Sequence, residues 1–168
     1  MKIPYPLKAS VQLALELLPK AMDTPKARVL MYAIGLQESR FEFRRQLGNG
    51  PARGFWQFEK GTVASKGGVT GVFLHDASRY WLAKLCEARN CAFNVAAIYK
   101  AIETDDVLAA GVARLLLFTD AKALPELGEE QKAWDLYAKR TWRPGKPHKQ
   151  TWAEAYAVAM AEVEAERI

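Results

Sequence analysis

The chain has 168 residues, enough for one domain with one sizeable hydrophobic core. Half of its residues are hydrophobic and 11% are aromatic, which excludes an intrinsically disordered protein. The formal net charge of +5 favours a polyanionic partner, such as nucleic acid, a membrane surface or an acidic cell wall, but charge alone does not choose among them.

The N-terminal third predicts two helices. Residues 10–21 form an amphipathic pattern in which Gln12 and Glu16 interrupt the apolar stretch, and no small-residue cleavage site follows, so the segment does not match a signal peptide. We therefore expect another agent to deliver the protein if it acts at a cell wall. Residues 23–25 place a capping residue before a proline, which predicts a second helix from Pro25 to about Phe41.

The next segment is rich in turn residues. Residues 42–54 contain several glycines, an asparagine and a proline, and predict irregular structure with at most a small β-excursion near residues 42–55. Residues 55–64 predict a return to helix, which the glycines at 67 and 68 should end.

The rest of the chain predicts further helices with clear ends. They cover residues 78–89, 93–101, 106–121 and 129–142, and a last helix that a capping-box pattern opens at Thr151. The helix at 106–121 is apolar enough to be the central one. The sequence thus predicts an all-α fold of about eight helices in a single domain spanning residues 1–168, with no helix able to span a membrane.

Cysteine and histidine usage argues against a metal or cofactor site. Cys86 and Cys91 are five residues apart on a predicted helix and point in different directions, so we expect two buried thiols and no disulfide. His75 and His148 are the only histidines, and no ligand spacing typical of zinc appears. We expect no cofactor and no metal.

Glu38 is the residue that first suggests chemistry. It lies on an otherwise apolar helix face and near a helix C-terminus, and both settings raise a carboxyl pKa. A protonated carboxyl in an apolar cleft is what general-acid cleavage of a glycosidic bond requires. The alternative is a solvated side chain at a frayed helix end, or one paired with Arg40 or Arg44. The apolar face is formed by Leu30, Met31 and Ile34.

Two motifs flank this position in order. Glu38-Ser39 stands at the end of the helix with Phe41 just after it, and Gly54-Phe55-Trp56-Gln57 follows. Together they resemble the Glu-Ser pair and the Gly-x-x-Gln motif of the goose-type lysozyme and soluble lytic transglycosylase superfamily. The resemblance covers about residues 34–64, roughly a fifth of the chain.

The resemblance implies a lysozyme-like fold and a role for each motif residue. Glu38 would be the catalytic acid, and Ser39 would lie near the reacting sugar or orient Glu38. Gln57 would hydrogen-bond the glycan, Gly54 would let the backbone approach the sugar, and Trp56 would stack on a sugar face. As alternatives, Ser39 is a helix-end serine, Gln57 a surface residue and Gly54 an ordinary turn glycine.

The third family motif, Ala-Tyr-Asn, is absent in that form. The nearest candidate is Tyr137, which Ala-Lys follows, and which we predict to point into the same cleft as Glu38 and Gln57. Its alternative is a core tyrosine packed against Trp134. The following W-R-P-G-K-P segment is similar to phage-encoded relatives of this fold.

The sequence assigns no second carboxylate. Glu42 and Glu59 are the nearest to Glu38 in sequence, and either is equally interpretable as a solvated side chain. A hydrolase needs a second carboxylate, whereas in a lytic transglycosylase the sugar's own 6-hydroxyl attacks the intermediate. This favours lytic chemistry slightly.

Three functions follow, in decreasing order. The first is a muramidase or lytic transglycosylase that cleaves bacterial peptidoglycan, either as a phage endolysin or as a virion component acting during DNA entry. The second is a lysozyme-fold virion or interaction protein with weak or lost catalysis, in contact with other virion proteins, which the altered third motif favours. The third is a nucleic-acid-binding domain, which ranks last because the positive charge shows no clustered recognition face.

Overall fold

The computed structural model describes residues 1–143 and 145–167. Across these residues the fold is all-α, as predicted, and none of the helices combines the length and apolar character needed to cross a membrane. The helices are α1 (Tyr5–Glu16), α2 (Pro25–Ser39), α3 (Gly68–Leu74), α4 (Asp76–Ala88), α5 (Val95–Ala101), α6 (Asp106–Phe118), α7 (Glu130–Trp134) and α8 (Trp152–Glu166).

Helix α6 is the centre of the hydrophobic core. The Asp105 carboxylate caps it by accepting a hydrogen bond from the Leu108 N–H at 3.0 Å. Every residue from Val107 to Leu117 is buried, as the apolar sequence predicts. Helices α1 and α4 pack on α6, and α2 packs mainly against α8. One continuous core therefore joins the two ends of the chain.

Helix α2 begins where the capping signal predicts. The Thr24 hydroxyl accepts a hydrogen bond from the Ala27 N–H at 3.2 Å, and Pro25 is the first helical residue. The helix ends at Ser39, two residues earlier than predicted, because Arg40 and Phe41 adopt left-handed backbone angles with φ of 54° and 56°. Its last turn therefore carries Glu38.

The first helix lies nearer the N-terminus than predicted. It spans Tyr5–Glu16 instead of residues 10–21, because Pro6 falls in the first turn, where a proline needs no N–H partner. After it, Lys20–Met22 form a separate 3₁₀ turn that follows Pro19. The predicted single helix is thus two pieces.

The predicted helix over residues 55–64 is wrong. Arg53 and Phe58 exchange two backbone hydrogen bonds of 2.9 Å, so the four residues between them form the loop of a tight hairpin. Gly54 and Gln57 both have positive φ, 74° and 50°, which no α-helix accommodates. This hairpin, with a second bridge between Arg45 and Arg53, is the small β-excursion that the sequence predicts.

The two glycines expected to end that helix begin the next one. Gly67 precedes α3 and Gly68 is its first residue, with a φ of 58°. A Cβ at position 68 would stand 2.1 Å from the Glu59 carbonyl oxygen, so the loop and the helix start meet too closely for a side chain.

Both cysteines are free thiols, as predicted. Cys86 is buried in α4, but Cys91 is partly exposed beyond the helix end, so the prediction of two buried thiols is correct only for Cys86.

Candidate active site

Glu38 opens onto a large cleft. The cleft has a volume of about 1030 Å³ and lies between the end of α2, the hairpin loop and the segment that precedes α8. Gln57 and Tyr137 line the same cleft, so the structure brings together three of the six residues that the sequence selects. Glu38 itself is partly buried, with its carboxyl turned toward the core side of the cleft wall.

The Glu38 carboxyl is in direct contact with Tyr137. The Tyr137 hydroxyl donates a hydrogen bond to Glu38 Oε1 at 2.5 Å. Burial raises the pKa of the Glu38 carboxyl from 4.5 to about 7, while the bond from Tyr137 lowers it by stabilising the ionised form. Burial beside Glu38 also raises the pKa of the Tyr137 hydroxyl, which therefore remains a donor. A carboxyl with a pKa near neutrality can both carry and release a proton.

Aromatic rings hold Tyr137 in place. Its ring stacks on that of Trp152, with centroids 5.2 Å apart and planes 8° from parallel. Trp134 contacts it edge-on at 5.7 Å and Trp142 lies against it at 5.9 Å. The predicted contact with Trp134 is therefore present together with the contact to Glu38. Tyr137 belongs both to the core and to the cleft wall.

Tyr137 lies in a π-helical stretch that the sequence does not reveal. Helix α7 continues into it over Asp135–Thr141, and the Trp142 N–H donates to the Tyr137 carbonyl at 2.9 Å, five residues back. Such stretches are rare and occur often at functional sites. The wider turn carries Trp142 toward the hairpin, where its indole N–H donates to the Trp56 carbonyl at 3.0 Å.

Gln57 borders the cleft from the hairpin. Its amide nitrogen donates to the Gly54 carbonyl at 2.9 Å, and its backbone N–H donates to the same oxygen at 3.0 Å. The side chain is 9% exposed, so this internal bond fixes its orientation at the cleft wall. Gln57 is neither at the start of a helix nor a free surface residue.

Ser39 is not placed to contact a sugar. It is 1% exposed, and its hydroxyl donates to the Phe55 carbonyl at 2.6 Å and accepts from the Phe41 N–H at 3.1 Å. These bonds tie the end of α2 to the hairpin. The prediction that Ser39 lies near the substrate is wrong, because a side chain that follows Glu38 by one position points to another side of the helix.

Trp56 and Gly54 also serve the fold instead of a ligand. Trp56 is 0% exposed, and its indole N–H donates to the Met31 carbonyl at 2.8 Å, so the prediction of sugar stacking is wrong. At Gly54 a Cβ would stand 2.5 Å from the Ile102 carbonyl oxygen. The close approach that requires glycine is to the end of α5 and not to a sugar.

Sequence reasoning missed Gln37, the neighbour of Glu38. Its amide donates to the His148 carbonyl at 2.7 Å and accepts from the Thr151 hydroxyl at 3.0 Å. Thr151 makes no capping bond to α8, so the predicted capping box is absent. We call residues 142, 143 and 145–151 the strap; Gln37 anchors its C-terminal part beside Glu38. No sequence signal indicated this long-range contact.

The charged residues that surround Glu38 in sequence do not surround it in space. Glu42 does not line the cleft, whereas Glu59 does, with an exposed carboxylate. Neither Arg40 nor Arg44 pairs with Glu38; Arg44 pairs with Asp106 instead. In the part of the chain that the structure covers, no group of three potential ligands is arranged to hold a metal ion.

Replacing Tyr137 with Phe is expected to raise the pKa of Glu38. The bond from Tyr137 lowers that pKa, and its removal leaves burial unopposed. The protonated acid would then persist to higher pH, and the alkaline limb of any activity that depends on it would shift upward. A carboxyl-carbon NMR titration measures the shift directly. Tyr156→Phe is the control, because that hydroxyl accepts from the Gly128 N–H. An unchanged or lowered Glu38 pKa in Tyr137→Phe would contradict the assignment.

Comparison of the chain with protein-family models, with curated proteins and with solved structures found no match.

Proposed function

We propose that the protein cleaves the glycan strands of bacterial peptidoglycan, with Glu38 as the general acid, in a lysozyme-like active site. The observation that carries this proposal is a carboxyl with a pKa of about 7, hydrogen-bonded by a tyrosine, in the wall of a cleft large enough for several sugar rings. The Glu-Ser and Gly-x-x-Gln resemblance adds the substrate class, which geometry alone does not supply.

The chemistry follows from the state of Glu38. Near neutral pH a substantial fraction of the carboxyl is protonated and can donate its proton to the glycosidic oxygen as that bond breaks. The positive charge then developing on the sugar ring lies close to the new carboxylate, which stabilises it. The Tyr137 hydroxyl stabilises the carboxylate left behind, because it already donates to Oε1.

We favour anhydro-sugar products over hydrolysis. Besides Glu38, Glu59 is the one acidic residue among the described residues that line the cleft. Its carboxylate is exposed and makes no hydrogen bond within that set, so nothing orients it to hold a water or to attack the sugar. A route in which the sugar's own 6-hydroxyl attacks needs no second carboxylate.

Purified peptidoglycan should lose turbidity when the protein is added, and mass spectrometry should find 1,6-anhydro ends. Glu59→Gln should retain most of this activity, because Glu59 has no essential step in the proposed route. Products with reducing ends, together with a loss of activity in Glu59→Gln, would instead identify a hydrolase that uses Glu59. Absence of any new glycan end in the parent protein would contradict the proposed function.

Binding to cell walls is expected to weaken with salt. The net charge of +5 gives a long-range attraction to an anionic polymer, and added salt screens it over about 10 Å at 0.1 M. Co-sedimentation with purified walls at low and high ionic strength measures the effect. Binding that is indifferent to salt would mean that contacts with neutral sugars dominate.

A further inference from the structure

The cleft carries more positive than negative side chains. Lys60 on the loop after the hairpin and Arg143 and Lys146 on the strap line it, against the carboxyls of Glu38 and Glu59. Since Glu38 is partly neutral near pH 7, the balance is more positive than a count of residues suggests. None of the three cations forms an ion pair with another residue that the structure describes.

Other cations close to the site in sequence are neutralised, so this pattern is specific to the cleft. The guanidinium of Arg45 binds the Glu103 carboxylate through two hydrogen bonds of 2.8 and 3.1 Å. The pairs Arg44–Asp106, Lys139–Asp135 and Arg140–Asp120 are arranged in the same way. The cations that the structure leaves without a carboxylate partner in this region are those that face the cleft.

The strap holds its two cations close to Glu38. At one end, the Trp142 indole N–H is bonded to the Trp56 carbonyl. At the other, Gln37 is bonded to the His148 carbonyl and the Thr151 hydroxyl. Arg143 follows the first anchor directly, and its guanidinium donates to the Lys139 carbonyl at 3.2 Å. Both anchors rest on elements that flank Glu38, so an anion bound by the strap would lie beside the acid.

We propose that the strap cations form a subsite for carboxylates of the peptide stem that is attached to the glycan. This rests on the proposed function and names the part of the substrate that the cleft selects. The peptide leaves the sugar chain beside the bond to be cut, so its carboxylates pass close to the general acid. Guanidinium and ammonium groups are the natural partners of such carboxylates. Phosphodiesters of other wall polymers offer the same charge and must be separated by experiment.

The test compares cleavage of two substrates free of phosphate polymers: glycan strands that retain their stem peptides and strands stripped of them by an amidase. The parent should have the higher kcat/KM on peptide-bearing strands. In R143Q/K146Q this preference should fall roughly tenfold, which corresponds to two partly exposed ionic contacts. K20Q/K100Q, which removes the same charge from exposed positions outside the cleft, should keep the preference.

The outcomes separate this proposal from the one it rests on. No cleavage of either substrate by the parent would end the proposed function. Cleavage of both with no preference, or an equal loss on both in R143Q/K146Q, would overturn the subsite alone. A preference that appears only on walls that retain phosphate polymers would assign the cations to phosphodiesters and contradict the peptide assignment. R143K/K146R, which keeps both charges, should preserve the preference, and its melting temperature checks that the strap remains folded.

Discussion

Glu38→Gln is expected to reduce glycan cleavage by ~10²–10⁴-fold, the usual contribution of general acid catalysis, while leaving the fold intact. The amide keeps the shape of the side chain, and its oxygen can still accept the bond from the Tyr137 hydroxyl. It cannot donate a proton to a leaving oxygen as a carboxylic acid does. Release of new glycan ends, measured at saturating substrate, gives the effect on the chemical step.

The same substitution should stabilise the protein above neutral pH. The folded-state pKa of Glu38, about 7, is higher than the ordinary value of 4.5. The stability associated with its proton is fully present below pH 4.5 and is lost as the pH rises through 7. A shift of this size corresponds to about 3 kcal/mol, reduced where water enters the cleft. Glu38→Gln lacks this loss, so its melting temperature should fall less than that of the parent between pH 5 and pH 8.

The matched control is Glu42→Gln, which removes a carboxylate four residues away that does not line the cleft. It should keep both the activity and the pH dependence of the parent. If the parent digests peptidoglycan and Glu38→Gln digests it equally well, Glu38 is not the acid. Little activity in the parent and no change in the variant is the result expected of a lysozyme-fold interaction protein.

Trp56→Ala is expected to destabilise the fold by about 3–5 kcal/mol, the range for large core aromatics. The ring is 0% exposed, contacts Phe41 edge-on at 5.6 Å and bonds to the Met31 carbonyl. Trp56→Phe keeps an aromatic ring in the core and should cost less. Chemical denaturation of the three proteins measures the differences.

The informative comparison is wall binding by Trp56→Phe under conditions where it is folded. Because Trp56 does not reach the cleft, this variant should bind walls as the parent does. A folded Trp56→Phe with normal stability and lost binding would restore the stacking role that the structure argues against.

The parts of the fold that the sequence predicted depend on local signals. The Thr24 cap and Pro25 set the start of α2, Asp105 sets the start of α6, and a helical period of 3.6 residues puts Glu38 on a face that turns inward. Tyr137 was found through resemblance, because nothing in its own segment indicates a partner 99 residues away.

The parts that the sequence did not predict depend on contacts between distant segments. Residues 55–64 have a helical composition, but the Arg53–Phe58 bonds and the tight approach of Gly54 to Ile102 impose a hairpin. Exposure followed the same rule, since Trp56 was expected at the surface and is in the core. Gln37 had no local mark at all, and its role appears only once the strap is folded against α2.

The π-helical stretch makes the site more sensitive to chain length than to side-chain identity. Deleting one residue between Ala138 and Thr141 would convert the five-residue bond into an ordinary four-residue one and shorten the turn. Everything downstream would then rotate by about 100° relative to Tyr137, so the next indole would no longer face the hairpin. A point substitution in the same stretch leaves that phase unchanged. Single-residue deletions are therefore expected to disconnect the tyrosine from the strap while each remains locally well formed.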